Sequence, residues 1–513
     1  MPITIALISY LDFESFVIRQ LHPLLEQKGF NIKSFFLKAR TGDKPSEKEI
    51  KLLIEHLKSI KPDLVCLGIR SRYFKTLAKI SDRIKKEVNP IILWGGIHTS
   101  LDPEKCIDYA DIICHGEAED ALAELGNKIQ NKEDYTKIKN LWVKKDGIIH
   151  KNTLRELMVD LDSLPFTDFS DKNKVYIEND KLVHNMDEIT NNGTEFKYTY
   201  PIMTSRGCLY RCTFCINSFL GAIYAGKGKF TRRRSVNHVI KELKQAKEQY
   251  PLLSGVTFGD DVFSFDHEWL KEFIEKYTKE INLPFFIMFY PTMVDENIVK
   301  ILKDTGLANV QMGIQSGSER IRKDVHHRYT TNEQIRNALN IFQKYNIKAS
   351  CDMILGDIFE TEEDRLQTVD FLLDLPKPLI LTCFQMNYFP NYPYTNMALE
   401  QGLIKEENLI NNMPEDEQSF GKQFDTNRNK ELLFWESVYK LTTFKYLPKI
   451  VVKTISKNKL LRKQPLPVIY LSKGYVRMRQ LNRVGSYISK NITSPKTIYS
   501  KVLQKLSWSN LQA

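Results

Sequence analysis

The chain has 513 residues, 42% hydrophobic and 27% charged, which excludes a disordered or collagen-like polymer and leaves room for two to four domains at about 150 residues each. No run approaches the ~18 consecutive apolar residues of a membrane span. The opening MPITIALISYLDFESF has no basic signal-peptide start and carries acids at Asp12 and Glu14, so a cytoplasmic, reducing location is expected. The net charge of +11 hides an asymmetry: sixteen basic and no acidic residues follow Glu436, which leaves residues 1–436 at −5.

The first third alternates short apolar runs, Ile3–Tyr10, Ile32–Leu37, Asp63–Ile69, Ile91–Gly96 and Asp111–Gly116, with helical patterns at Phe13–Lys28, Glu47–Ile60, Phe74–Val88, Pro103–Tyr109 and Glu119–Lys128. Near-continuous apolar strands between helices predict a parallel sheet covered on both faces. This is a Rossmann-like (flavodoxin-like) α/β domain over 1–140, with any ligand beyond the carboxyl ends of its strands. A hairpin and connector follow over 141–198: LWVKKDGIIHKN turns at Asp146-Gly147, and LDSLPFTDF leads through Pro165 into polar residues. A second series has candidate strands at Tyr200–Arg206, Gly255–Phe258, Phe285–Tyr290, Val310–Gln315, Lys348–Leu355 and Leu379–Tyr388. Helical patterns separate them at Val236–Tyr250, Glu268–Lys279, Glu296–Thr305, Glu333–Tyr345 and Glu362–Leu373. These repeats predict a partial (β/α)6 TIM-type barrel over 199–400, then a basic, mainly helical C-terminal region over 401–513.

Eight cysteines are too sparse for a disulfide scaffold, so a cluster among them points to metal or redox chemistry. SRGCLYRCTFCIN, residues 205–217, sets Cys208, Cys212 and Cys215 in C-x3-C-x2-C spacing directly after a predicted strand. Three thiolates on one tight loop can ligate three irons of a [4Fe–4S] cluster, and the missing fourth leaves one iron open to a small molecule. Structural zinc wants four ligands, and His238 lies 23 residues beyond Cys215.

This loop, with Phe214 before its third cysteine, resembles the hallmark of the radical S-adenosylmethionine (radical SAM) superfamily. The resemblance implies that the three cysteines are the metal ligands and catalytic centre, and that the open iron chelates S-adenosylmethionine. It further implies an external electron donor such as flavodoxin or ferredoxin, and a 5′-deoxyadenosyl radical that takes hydrogen from substrate. Later motifs fit the family in order. TFGDDVFSFD, 257–266, ends the second strand with Asp260 and Asp261 and resembles a D-D-x-F pattern. GIQSGS, 313–318, resembles G-I-E-S-G-S with Gln315 replacing the acid before Ser316. MILGDIFETEED, 353–364, resembles I-x-G-x-P-G-E-T: Gly356, Glu360 and Thr361 match, while Ile358 and Phe359 replace Pro-Gly. The resemblance implies that Phe214, Asp260, Asp261, Gln315, Ser316 and Gly356 line the cofactor.

WGGIHTSLDPEKCIDYADIICHGEAEDAL, 94–122, resembles the end of the cobalamin-binding (B12-binding) domain that precedes many radical SAM cores. Gly95, Gly96, His98, Gly116 and Glu117 are the matching positions and are implied to line the corrin; LDSLPFTD and RRRSVNHVI, 232–240, match the usual joins. The D-x-H-x-x-G loop that supplies a lower cobalt ligand is absent, since SYLDFESF, 9–16, contains no histidine. The resemblance therefore implies cobalamin bound without a protein ligand, or a domain that has lost the corrin. His22, His56 and His115 read as packing or surface residues, and Cys66, Cys106, Cys114, Cys351 and Cys383 as small buried hydrophobes.

In the tail, Tyr446–Lys457 places Leu447, Ile450, Val451 and Ile455 on one side of a helix and Lys449, Lys453 and Lys457 on another. This fits a helical subdomain over the barrel mouth, a peripheral contact with an anionic membrane, or a holder of RNA phosphates. Nothing in the tail resembles an RNA-binding module, so nucleic acid is not expected. The expected function is a cobalamin-dependent radical SAM methyltransferase acting on an unactivated carbon of a small or lipid-like substrate. Two alternatives stand beside it: radical cyclisation or rearrangement without methyl transfer, and a non-catalytic cobalamin or metabolite sensor whose tail binds RNA or membrane.

Overall fold

A computed structural model describes residues 2–10, 15–38, 44–188, 198–263, 266–413 and 429–476. The chain forms two compact units, one of residues 1–194, 207–234 and 387–424, the other of 195–206, 235–386 and 425–513. The units regroup the segments read from the sequence: the connector and the cysteine loop both belong with the N-terminal sheet.

That sheet contains β1 (Thr4–Tyr10), β2 (Asn31–Leu37), β3 (Leu64–Gly68), β4 (Ile91–Gly95), β5 (Ile112–Cys114), β6 (Leu141–Lys145), β7 (Ile148–Lys151), β8 (Lys174–Glu178) and β9 (Lys181–Val183). Its order is β7-β6-β5-β4-β3-β1-β2-β8-β9. The parallel core thus runs 2-1-3-4-5, the flavodoxin-like order, with its topological switch point between β1 and β3. Strand β1 is buried from Ile5 to Tyr10, as its unbroken apolar run requires in a sheet covered on both faces. The hairpin turns at Asp146 (φ 49°) and Gly147 (φ 78°), two left-handed residues that match the twist of the strands they join.

Two features depart from the sequence reading. The Pro103–Tyr109 pattern divides into a short helix, Pro103–Cys106, and a 3-10 turn, Ile107–Tyr109, behind an unforeseen helix at Ile97–Leu101. The polar connector supplies β8, which pairs parallel to β2, and β9, which returns beside it.

In the second unit six strands, Thr199–Ile202, Gly255–Phe258, Phe285–Phe289, Leu307–Gln315, Lys348–Leu355 and Ile380–Gln385, bond in chain order, all parallel. The helices between them, Val236–Gln249, His267–Glu280, Glu296–Thr305, Asn332–Lys344 and Glu362–Asp374, start at Ser235, Asp266, Asp295, Thr331 and Thr361, whose side chains each accept from backbone N–H groups of the first turn. Behind the sheet, Phe258, Phe263, Phe273, Tyr277 and Phe285 pack ring to ring.

The C-terminal helices Lys430–Leu441, Lys449–Lys457 and Lys459–Lys463 belong to this unit. The expected apolar side of the second is not its packed side: Val452 and Ser456 are buried, whereas Ile450 is 69% exposed. The cause is charge. Lys449, Lys453 and Arg462 pair with Asp374, Asp370 and Glu362 of the barrel helix at 2.7, 2.8 and 2.9 Å, so acids distant in sequence set the helix's orientation. Seven of the tail's sixteen basic residues lie beyond residue 476, outside the described residues. Among the described residues no helix is long and apolar enough to cross a membrane.

Thr361 accepts from Asp364 N–H at 3.2 Å and Asp364 accepts from Thr361 N–H at 2.9 Å, a reciprocal cap on the helix that receives those three cations. Thr361→Ala is expected to cost about 1 kcal/mol, read as a lower urea midpoint at unchanged slope.

Candidate functional site

The cysteine loop folds tightly. Gly207 opens it at φ 81°, and a Cβ there would stand 2.5 Å from the Phe230 carbonyl oxygen, which no side chain tolerates. The Arg211 guanidinium donates to the Cys208 carbonyl at 2.8 Å and lies 5.0 Å over the Phe230 ring. Cys215 N–H donates to the Cys212 carbonyl at 3.0 Å, and Cys215 is the N-cap of helix Ile216–Ile223. A thiolate is favoured there, at the positive end of the helix dipole. Cys212 is buried, Cys208, Phe214 and Cys215 are half-buried, and none of the three thiols is in a disulfide. Among the described residues no three His, Cys, Asp or Glu side chains gather closely enough to share one ion. Three unbridged soft donors on one loop suit a cluster instead, whose thiolates sit on separate irons.

The positions matched to a corrin lining make close contacts within the protein. Gly96 (φ 100°) lies against the backbone of Ile69, whose oxygen a Cβ would meet at 2.9 Å, and Gly95 meets the Cys114 side chain. At Gly116 (φ 90°) a Cβ would fall 2.0 Å from the Tyr224 hydroxyl, which accepts from Glu117 N–H at 2.8 Å. The Glu117 carboxylate takes two bonds from Arg232, at 2.6 and 3.0 Å. Gly116 and Glu117 are thus the socket for Tyr224 and Arg232, which follow the three cysteines in the chain. His98 is fully buried, its ring edge-on to Phe74 at 4.9 Å, and neither ring nitrogen has a hydrogen-bond partner. Burial holds its pKa down at about 4, so the ring is neutral.

A buried hydroxyl without a partner among the described residues lies at the switch point. Tyr10 at the end of β1 meets Tyr73 edge-on at 5.1 Å, and Ser71, in the turn after β3, buries a hydroxyl with no partner among the described residues. A buried orphan hydroxyl is costly unless something bonds it. Its position beyond the carboxyl ends of β1 and β3 fits a bound cofactor such as cobalamin. The sequence motifs did not single out Ser71; strand order was the missing signal.

The second unit holds the remaining motif residues. Asp260 is buried at the end of Gly255–Phe258, where Oδ1 accepts from Thr204 N–H at 3.1 Å, from the Thr204 hydroxyl at 2.9 Å and from the Ser205 hydroxyl. It fixes the chain three to four residues before Cys208, while Asp261 is exposed. Gln315 takes φ 71° at a bulge and folds its amide over Gly313. Ser316 is buried and donates to Glu360 at 3.1 Å, and Gly356 (φ 73°) stands exposed at the next strand end. Burial first, then the negative charge of Asp357, push Glu360 up to about 8, against the pull of Arg365 and the Ser316 hydroxyl. Further from any motif, His22 bonds Ser34 at 2.7 Å inside the first unit. Cys66, Cys106, Cys114 and Cys351 are buried with thiol pKa values driven up by burial, as inert packing cysteines should be.

Two family models match the chain: a B12 binding domain over residues 4–126 and the radical SAM superfamily over 202–372. An uncharacterized methyltransferase of Pyrococcus horikoshii is 26% identical over 412 residues, covering 78% of this chain and 82% of that one. Cytidylyl-2-hydroxyethylphosphonate methyltransferase of Streptomyces wedmorensis is 23% identical, covering 53% of this chain and 54% of its own. Among solved structures, the radical S-adenosylmethionine methyltransferase TsrM of Kitasatospora setae, with cobalamin and a [4Fe-4S] cluster bound, aligns over 93% of this chain and all of that chain at TM-score 0.63 and 15% identity. The cobalamin-dependent radical enzyme OxsB, with aqua-cobalamin and S-adenosylmethionine bound, aligns over 99% of this chain and 84% of that chain at TM-score 0.65 and 16% identity. At such identities the structural likeness concerns the fold.

Gly116→Ala is expected to expel the Tyr224 hydroxyl and loosen the cysteine segment, read as faster limited proteolysis within 207–234; unchanged cleavage would deny the socket its role. Glu360 bears on pH. Its carboxyl keeps a proton in the fold at pH values where the unfolded chain, near 4.3, has released it, so its support is full below that value and drains away as pH rises toward about 8. Glu360→Gln, which cannot ionise, is expected to gain stability over the native chain at about pH 9 more than at about pH 4 in urea titrations.

Proposed function

Because the chain belongs to the radical SAM superfamily, in the branch that opens with a B12-binding domain, we propose that it is a cobalamin-dependent radical SAM methyltransferase acting on an unactivated carbon of a small or lipid-like substrate. The observation that carries the reading is the triad itself: three unbridged cysteines on one eight-residue loop, the last capping a helix, directly after the first strand of a six-stranded parallel sheet. Bound to Cys208, Cys212 and Cys215, a [4Fe–4S] cluster would supply the electron that splits S-adenosylmethionine to methionine and a 5′-deoxyadenosyl radical, and cobalamin would supply the methyl group.

The chain's own residues position and seal. The loop offers three thiolates and no fourth, so one coordination site stays open for the amino and carboxylate groups of S-adenosylmethionine. Asp260 holds Thr204 and Ser205 and so fixes the entry to that loop. Gln315, Ser316 and Gly356, at neighbouring strand ends, offer an amide, a hydroxyl and an open backbone to the nucleoside end of the cofactor. In the first unit Ser71, in the turn after β3, would hold the corrin or its nucleotide tail by a hydrogen bond. The partners implied are a small-molecule substrate and an external one-electron reductant. Membrane contact is left out of the reading, since Lys449, Lys453 and Arg462 are already paired with acids of their own unit.

Protein purified under nitrogen and supplied with cobalamin, reductant and S-adenosylmethionine is expected to hold a [4Fe–4S] cluster and corrin and to release 5′-deoxyadenosine slowly. Cys212→Ala is expected to abolish both cluster and 5′-deoxyadenosine, whereas a sensor would keep its binding. Ser71→Ala is expected to weaken corrin retention about tenfold, the worth of one hydrogen bond, with iron content unchanged. Release of 5′-deoxyadenosine without any methylated product would refute the methyl-transfer half.

A further inference from the structure

One half-buried acid of the second unit, with a single enclosed oxygen, is used by none of these roles. In the parallel register Met288, Gln311, Ser350 and Ile380 stand side by side, and in the next row Gly313, Asp352 and Thr382 do the same. These residues share one face of the sheet, and their alternate neighbours Val310, Met312 and Cys351, fully buried, occupy the other. Around Gly313 this face becomes polar. A Cβ there would lie 2.2 Å from the Gln315 amide nitrogen and 3.3 Å from an Arg328 nitrogen. Arg328 donates to the Gly313 carbonyl at 2.8 Å, and its guanidinium rests 4.0 Å over the Tyr290 ring. The Gln311 amide donates to Asp352 Oδ2 at 2.7 Å. Asp352 Oδ1 is buried and accepts from no described residue.

A carboxylate placed on an otherwise packed sheet, with one oxygen anchored by an amide and the other bonded to nothing, is poorly explained as a structural element. Asp364 in the same unit, a structural acid, uses both oxygens, bonding Arg320, Ser318 and Thr361. Gly313, beside Asp352 in its own row, has no side chain, and the Gln315 amide lies over it. Burial pushes the Asp352 carboxyl up to about 6 against the pull of Gln311 and Arg328, a perturbation that collects at ligand sites.

We propose that Asp352, set in place by Gln311, is the polar anchor of the substrate pocket, and that Oδ1 takes the hydrogen of a substrate amino or hydroxyl group. This rests on the reading of the chain as a radical methyltransferase and adds the chemical class its substrate must carry: a donor-bearing molecule rather than a plain hydrocarbon chain. Asp352→Asn keeps shape and the acceptor for Gln311, but turns the unbonded oxygen into a donor. A site built around a hydrogen bond rejects such a mismatch strongly.

The experiment supplies methyl-labelled S-adenosylmethionine and the small-molecule fraction of the source cell's extract, either untreated or acetylated to block amines and hydroxyls. The native enzyme is expected to label the untreated fraction and roughly tenfold less of the acetylated one, and Asp352→Asn to label the untreated fraction roughly tenfold less than the native enzyme. The melting temperature of Asp352→Asn is expected to match the native chain. Equal labelling by Asp352→Asn, equal labelling of acetylated extract, or a variant that melts many degrees lower would each overturn the inference. A native enzyme that labels nothing counts against the parent reading, and the melting comparison still judges whether Asp352 is structural.

Discussion

The clasp between residues 116–117 and the segment after the cysteine loop is the constraint on which the first unit depends. Gly116 leaves a gap that only a hydrogen atom could share with the Tyr224 hydroxyl, and Glu117 receives that hydroxyl on its N–H and Arg232 on its carboxylate. Arg232 is buried, so its charge needs this partner: an unpaired guanidinium in the interior would cost several kcal/mol. Two points of the 207–234 segment, both after the cysteines, are thereby tied to the turn that follows β5. The cysteine loop becomes part of a domain whose main sheet has its last described strand in the chain, β9, ending at Val183.

The same economy runs through the second unit. Asp260, Ser316 and Glu360 occupy strand ends where ligands are expected, yet each bonds neighbouring protein: Asp260 the backbone and hydroxyls of 204–205, Ser316 the Glu360 carboxyl, Glu360 both Ser316 and the Arg365 charge. Such contacts give the strand ends fixed positions without a ligand, which is the preorganisation that reactive cofactors require of their protein. Gln315 adds a backbone residue at φ 71°, a strained conformation for a side chain of its size, exactly where the bulge swings its amide over Gly313.

Much of this was legible in the sequence because the signals were local. Gly255–Phe258, Lys348–Leu355 and Glu47–Ile60 have the same limits in the pattern and in the structure, since apolar periodicity and Ser or Thr caps act within a few residues. What escaped needed partners from far along the chain. Strands β8 and β9 are short and half polar; β8 forms by pairing with β2, some 140 residues away, and β9 by pairing with β8. The outward turn of Ile450 follows from Asp370 and Asp374, which the tail's own spacing cannot reveal. His98 matched a motif by identity, but its burial behind Phe74 is a matter of packing.

Motif residues and ligand-facing residues consequently separate. The positions that a pattern can find, glycines at tight approaches and acids at strand ends, are those whose bonds close within the protein and therefore tie residue type to backbone shape. Ser71 and Asp352 belong to no motif, and each leaves one buried oxygen without a partner. Leaving such an atom unbonded lowers stability by an amount comparable to one hydrogen bond, a cost that a ligand bonded to it would remove. The backbone scaffold thus carries what is common to many chemistries. The unsatisfied atoms are where this chain's own chemistry is written, the hydroxyl at the switch point facing a cofactor and the carboxylate on the sheet facing a substrate.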